Sequence, residues 1–115
     1  MRYLKESELT PYLNQGKEIQ QYMGEFYDGQ YKCLRYLTLY KGKDGYAGLL
    51  LEVFDETEEG IESIYNFSSI EPDDMYGKEI GPFDSIEKLI QSIKQIAKLN
   101  DEKYLLAGYL DDIIK

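Results

Sequence analysis

The sequence contains no histidine and no tryptophan, and Cys33 is its only cysteine. Without histidine, a serine or cysteine nucleophile has no imidazole base and zinc has no histidine ligand. A single cysteine excludes an internal disulfide bond and any metal site built from several thiolates. We therefore expect no metal, no cofactor and no catalytic residues, and we predict that the protein is not an enzyme.

Long apolar stretches are also missing. The longest, Tyr46 to Leu51, is far shorter than the ~18 residues of a membrane-spanning helix. The first residues, Met1 to Glu6, lack the apolar core of a signal peptide. A single free thiol suits a reducing compartment. These features predict a cytoplasmic protein with no membrane partner.

Basic residues are scarce, since 13 lysines and arginines stand against 22 aspartates and glutamates, for a net charge of −9. Nucleic-acid binding needs a basic surface, so we expect no direct contact with nucleic acid. The 115 residues are 43% hydrophobic, which is typical of a folded chain. This length predicts a single domain over residues 1–115.

Tyrosine, leucine, isoleucine and valine recur between residues 17 and 70 in runs of about ten. Glycine-containing turns separate these runs at Asp28-Gly29, Asp44-Gly45 and Glu59-Gly60. Asp-Gly pairs favour tight hairpin turns, because glycine readily adopts a positive φ. The pattern predicts a four-stranded antiparallel meander, with strands near residues 18–27, 31–41, 46–55 and 61–69.

Residues 84–99 carry the clearest helical pattern, with apolar side chains recurring on one face. Asp84 is placed to cap its start and Asn100 to close its end. The preceding segment, residues 71–82, is rich in proline, glycine and aspartate and predicts a loop.

Two weaker patterns lie at the ends of the chain. Thr10-Pro11 predicts a short helical turn over residues 11–15. Residues 101–115 predict a C-terminal helix broken at Gly108, with a strand over residues 104–110 as the alternative. The expected fold class is α+β, with the long helix and the broken C-terminal helix packed on one face of the sheet.

The negative charge is concentrated in residues 51–87, which hold twelve acidic residues and one basic residue. Six of these acids are candidate partner contacts: Glu56, Glu58, Glu59, Glu71, Asp73 and Asp74. If residues 61–69 form a strand, the two groups lie at opposite ends of it, about 30 Å apart. They would then form a long acidic rim. Such a rim either attracts a cationic partner or serves solubility alone.

Tyrosine is unusually frequent, with twelve residues. Tyr22, Tyr36 and Tyr40 lie on predicted strands, on faces opposite the most apolar positions. Tyrosine is enriched at binding surfaces because it supplies a large contact area at low entropic cost. We predict a tyrosine-rich docking face, and the alternative is a set of half-buried aromatics that shield a thin core.

Three charged residues fall within the predicted strands: Glu25, Arg35 and Glu52. An unpaired charge inside a sheet is costly, so we expect Arg35 to have a carboxylate or carbonyl partner. Glu25 and Glu52 are the acids that a small carboxylate-dependent enzyme would use, if one of them lay in a deep pocket with a raised pKa.

These features favour a non-catalytic acidic binding protein of the inhibitor, immunity or anti-defence type. Its expected partner is a basic protein that acts on nucleic acid, met by the acidic rim and the tyrosine face. A regulatory subunit or adaptor is the alternative, in which the acids serve only solubility. In that case the tyrosine face would form the contact, and it could equally be the seam of a homodimer.

Overall fold

A computed structural model describes residues 2–114 and shows an α+β fold, in which these residues form a five-stranded antiparallel sheet and three α-helices. The elements are α1 (Glu6–Asn14), β1 (Ile19–Asp28), β2 (Tyr31–Gly42), β3 (Gly45–Phe54), β4 (Lys78–Phe83), α2 (Ile86–Lys94), β5 (Leu105–Leu106) and α3 (Leu110–Ile114). The strand order is β4-β3-β2-β1-β5, so four consecutive strands form a meander and β5 adds to the far edge beside β1.

The first three strands agree with the predicted ranges to within one residue at each end. Tight turns fix their register, from Asp28 opposite Tyr31 to Gly42 opposite Gly45. Gly45 has a φ of +134°, and a Cβ atom there would overlap the carbonyl oxygen of Phe83 on β4. Only glycine therefore fits at this turn.

The predicted fourth strand over residues 61–69 is wrong. The segment forms a short 3-10 turn, Ile64–Asn66, and packs across the sheet. Ile61, Ile64 and Phe67 all pack into the core of the second face, whereas in a strand Ile64 would point to the face opposite Ile61 and Phe67. The fourth strand is β4, which begins within the predicted loop of residues 71–82 and ends one residue beyond it, at Phe83.

The helix boundaries also differ from the predictions. Ser85 caps α2, because its Oγ accepts a hydrogen bond from the Lys88 amide, whereas Asp84 forms an ion pair with Lys88 at 2.9 Å. The helix ends at Lys94, so Asn100 does not close it.

At the N-terminus, α1 starts five residues before Pro11. Glu8 accepts a hydrogen bond from the Lys5 amide at 2.9 Å, and this contact fixes the true start of the helix. Burial of Leu9 and Leu13 offsets the backbone hydrogen bond that Pro11 cannot donate.

Both alternatives for the C-terminal tail are partly correct. Leu105 and Leu106 pair with β1, and α3 follows the break at Gly108. Lys115, where the predicted helix ended, lies outside the described residues.

The helices cover both faces of the sheet, so the prediction that they share one face is wrong. On the first face, α1 and α2 enclose a core that includes Leu37, Leu39, Leu89 and Ile93. On the second face, α3 and the segment after β3 (residues 55–69) enclose a smaller core. Its buried members are Leu34, Tyr36, Val53, Ile64, Phe67, Leu105 and Leu110. None of the helices formed by residues 2–114 is long and apolar enough to cross a membrane.

Candidate functional site

The acidic segments before and after residues 61–69 are anchored at the same end of the sheet. The chain leaves β3 at Phe54 and returns at Ser69, which forms a bridge with Val53. The amide of Ile70 then donates to the Glu52 carbonyl at 3.1 Å. Cys33 pairs with Phe54, so the turn between β1 and β2 lies at this end as well. The predicted separation of about 30 Å along a strand is therefore wrong, because no strand separates the two acidic groups.

Two acids at the start of this segment hold its fold together. Glu56 accepts hydrogen bonds from the Ser68 amide at 2.5 Å and from the Ser68 hydroxyl at 3.1 Å. Asp55 accepts from the Thr57 amide and hydroxyl and lies 3.4 Å from the Lys32 ammonium. Burial alone would raise the pKa of Asp55, but the Thr57 hydrogen bonds and Lys32 lower it below its usual value. Glu56, a predicted partner contact, is thus occupied by a structural role.

The other five predicted acids are exposed, and Asp28 in the β1–β2 turn joins them. Within residues 2–114, none of the six forms an ion pair with a lysine or arginine. We call this set the acidic end of the sheet: Asp28, Glu58, Glu59, Glu71, Asp73 and Asp74. Sequence reasoning missed Asp28, although its position in the Asp-Gly turn was the available signal.

A groove of about 270 Å³ opens on the first face at this end. Phe26, Leu50 and Ile70 supply its apolar surface. The remaining lining residues are Tyr27, Asp28, Glu52, Glu71, Asp74 and Lys78. The groove therefore combines three apolar side chains with three carboxylates of the acidic end.

Arg35 lies next to this groove and has the carboxylate partner that was predicted. Its Nε and Nη2 atoms donate to Glu52 at 2.9 and 2.5 Å. Its guanidinium carbon lies 4.7 Å from the centre of the Phe26 ring. Glu25, the other strand acid considered for catalysis, forms an ion pair with Lys32 at 3.2 Å. Glu52 and Glu25, the two acids considered for catalysis, are therefore each paired with a basic side chain.

The tyrosines predicted to form a docking face are mostly covered. Tyr22 and Tyr36 pair in register on the second face, where Tyr65 packs edge-to-face on Tyr36 with ring centres 6.1 Å apart. Tyr36 is buried, and this burial raises its pKa to about 12. Tyr40 donates a hydrogen bond to Glu79 at 2.6 Å. The segment after β3, together with α3, therefore covers Tyr36 and part of Tyr22, whereas Tyr40 is half-buried beside Glu79 of β4.

Different tyrosines are exposed near the acidic end. Tyr27 and Tyr31 flank the β1–β2 turn and are 65% and 58% exposed. Tyr76, in the loop after Asp74, is 76% exposed. Their positions next to turns were the signal in the sequence, but the alternation of residues along the strands did not mark them as exposed. Aromatic contact area therefore lies beside the acids, on other residues than predicted.

Residues 2–114 contain no group of three or more aspartate, glutamate or cysteine residues arranged to hold a metal ion. Cys33 is fully buried, and burial raises the pKa of its thiol. No family model matches the chain, and the searches of curated proteins and of solved structures found no match either.

Proposed function

We propose that the protein is a non-catalytic binding protein of the inhibitor, immunity or anti-defence type, which docks a basic, nucleic-acid-acting protein through its acidic end. The observation that carries this proposal is the set of six exposed carboxylates at one end of the sheet, which form no ion pair within residues 2–114. A basic partner would supply the missing counter-charges. It would find carboxylates where a nucleic acid presents phosphates.

The distribution of charge along the sheet supports docking at this end. The opposite end carries both signs, with Lys17, Lys41 and Lys43 beside Glu18 and Asp44. The two ends are separated by β2, whose 12 residues span roughly 36 Å. Lys32 and Lys78 also lie at the acidic end, but the carboxylates outnumber them, and an excess of negative charge at only one end would orient a cationic partner during approach. Such steering raises association rates by up to ~10³ at low ionic strength.

Exposed aromatic residues near the acidic end support the same surface. Tyr27 and Tyr31 lie on either side of Asp28, and Tyr76 follows Asp74. Charged contacts that stay solvated contribute little affinity, so a stable complex also needs apolar area to bury. These three exposed rings provide that apolar area, whereas Tyr22 and Tyr36 are covered and cannot provide it.

The test compares affinity capture by the wild-type protein with capture by two variants of equal net charge. The first variant neutralises five residues of the acidic end: Glu58→Gln, Glu59→Gln, Glu71→Gln, Asp73→Asn and Asp74→Asn. The second neutralises five exposed acids elsewhere: Glu6→Gln, Glu18→Gln, Asp44→Asn, Glu87→Gln and Glu102→Gln. Glu56 stays unchanged in both variants, because it holds Ser68 in place.

We expect basic proteins to bind the wild type and the second variant, and to be lost from the first. Binding should weaken between about 0.05 and about 0.5 M salt, because exposed charges are screened over this range. If the protein is an inhibitor, the captured protein should also lose its activity on nucleic acid when the wild-type protein is bound to it. Capture of the same proteins by both variants, or of partners that are not basic, would contradict the proposal.

A further inference from the structure

The groove at the acidic end has the composition of a site for a long cationic side chain. Leu50 and Ile70 provide apolar surface for methylene groups, and Asp28, Glu71 and Asp74 provide carboxylates for a charged head. Lys78 is the single ammonium group among the lining residues. Glu52, the fourth lining carboxylate, already has Arg35 as its partner. The lining thus keeps a surplus of negative charge for an incoming cation.

The chain itself shows how a guanidinium group fits beside this groove. Arg35 lies over the Phe26 ring and donates two hydrogen bonds to Glu52. Arginine suits such a setting because its planar head stacks on aromatic rings and donates in a fixed fork. Lysine carries a compact ammonium group that is more strongly hydrated and stacks less well. The exposed Tyr27 ring at the groove provides a second aromatic surface for a stacked guanidinium.

We infer that this groove binds an arginine side chain of the basic partner, with the guanidinium group at Glu71 and Asp74 and the methylene groups against Leu50 and Ile70. The inference rests on the proposed function and narrows it to one part of the acidic end. Glu58 and Glu59 belong to that end but do not line the groove. They therefore provide a matched control for the two groove carboxylates.

The experiment titrates the ¹⁵N-labelled protein with tri-arginine amide and, separately, with tri-lysine amide at low salt. It is repeated with Glu71→Gln/Asp74→Asn and with Glu58→Gln/Glu59→Gln. Each double variant removes two negative charges from exposed positions, and its amide spectrum reports whether the fold is intact. We expect tri-arginine to shift the amide signals of Leu50, Ile70 and Asp74.

The groove variant should bind tri-arginine about tenfold more weakly than the wild type, since two charge-assisted contacts are lost. The control variant should lose no more than about twofold, the effect of a general reduction in charge. Tri-lysine should bind the wild type more weakly than tri-arginine. Equal losses in the two variants, or equal binding of the two peptides, would overturn the groove assignment while leaving a general acidic docking surface intact. Failure of both peptides to bind the wild type would also overturn the groove assignment, whereas the proposed function stands or falls on the capture experiment with the two charge-matched variants.

Discussion

Two tyrosine hydroxyl groups should respond in opposite ways to the same substitution. The Tyr65 hydroxyl donates to Gln20 Oε1 at 2.7 Å and accepts from the amides of Gly108 and Leu110, both at 3.1 Å. It thereby ties the segment after β3 to β1 and to α3. The Tyr104 hydroxyl is fully buried and has no hydrogen-bond partner within residues 2–114.

The expected free energies follow from these contacts. Tyr65→Phe leaves the buried Leu110 amide without its partner, whereas the Gly108 amide keeps a bond to Gln20 Oε1 at 3.1 Å. An orphaned buried donor costs about 1–3 kcal/mol, and Tyr65 is 37% exposed, so water relieves part of that cost. We expect a loss of about 1.5 kcal/mol. Tyr104→Phe removes a buried hydroxyl that gains no bond, so we expect a gain of up to about 1 kcal/mol.

Urea unfolding followed by circular dichroism measures both effects. With an m-value of about 1.5 kcal/mol/M, Tyr65→Phe should lower the unfolding midpoint by about 1 M. Tyr76→Phe is the control, because that ring is 76% exposed and water solvates its hydroxyl. A Tyr65→Phe midpoint equal to that of the control, or a loss of more than about 1 kcal/mol in Tyr104→Phe, would contradict these roles of the two hydroxyl groups.

Three further predictions concern the turn between β2 and β3, the buried tyrosine hydroxyl groups, and Asp111, which accepts hydrogen bonds from the segment after β3. Gly45→Ala should lower the free energy of unfolding by at least about 2 kcal/mol in urea titrations, because the new Cβ atom would overlap the backbone of Phe83. Gly29→Ala is the control and should cost only about 1 kcal/mol, because Gly29 has a φ of +63° but open space around it. Burial raises the pKa of Tyr36 and of Tyr104 to about 12, so the folded state keeps protons that the unfolded state releases near pH 10. Stability should therefore be unchanged by these groups below pH 10 and fall from about pH 10 to 12, and phenolate absorbance should show late-titrating tyrosines. Asp111→Ala should cost about 1 kcal/mol and speed amide exchange at Ile64, whose N–H loses its acceptor at 2.8 Å.

The first three strands were predictable because local chemistry decides their turns. Asp28-Gly29 and Asp44-Gly45 supply the positive φ values that tight hairpins need, and the apolar runs between them have the length of strands. No distant contact is needed to specify these boundaries. The other two strands were harder to predict. The segment that contains β4 is rich in proline, glycine and aspartate, and β5 has two residues and depends on its pairing with β1.

Residues 61–69 could not be assigned from local sequence, because their apolar side chains fit both a strand and a 3-10 turn. The partner that favours the turn is Asp111, which accepts hydrogen bonds from the Ser63 hydroxyl and the Ile64 amide, each at 2.8 Å. That contact joins positions 47 or more residues apart, so local composition does not reveal it. The error carried over to the site, since a strand would have placed the two acidic groups far apart.

The groove was beyond sequence reasoning for a related reason. Phe26, Leu50 and Ile70 come from three separate parts of the chain. Strand pairing brings the first two together, and the return of the chain to Glu52 adds the third. The acids of this site were predictable as a composition, but the apolar surface beside them required the topology.

The position of the charge allows an experiment to distinguish the two explanations for it. Solubility depends chiefly on net charge, which is −9 wherever the acids are placed on the surface. Gathering like charges at one end adds repulsion without adding solubility, so a purely solubilising role gives no reason for the arrangement. A docking role does give one, because a partner must meet the carboxylates together with the aromatic rings beside them. Variants with equal net charge but different positions therefore test the explanation itself, since only the docking role distinguishes one end of the sheet from the rest of the surface.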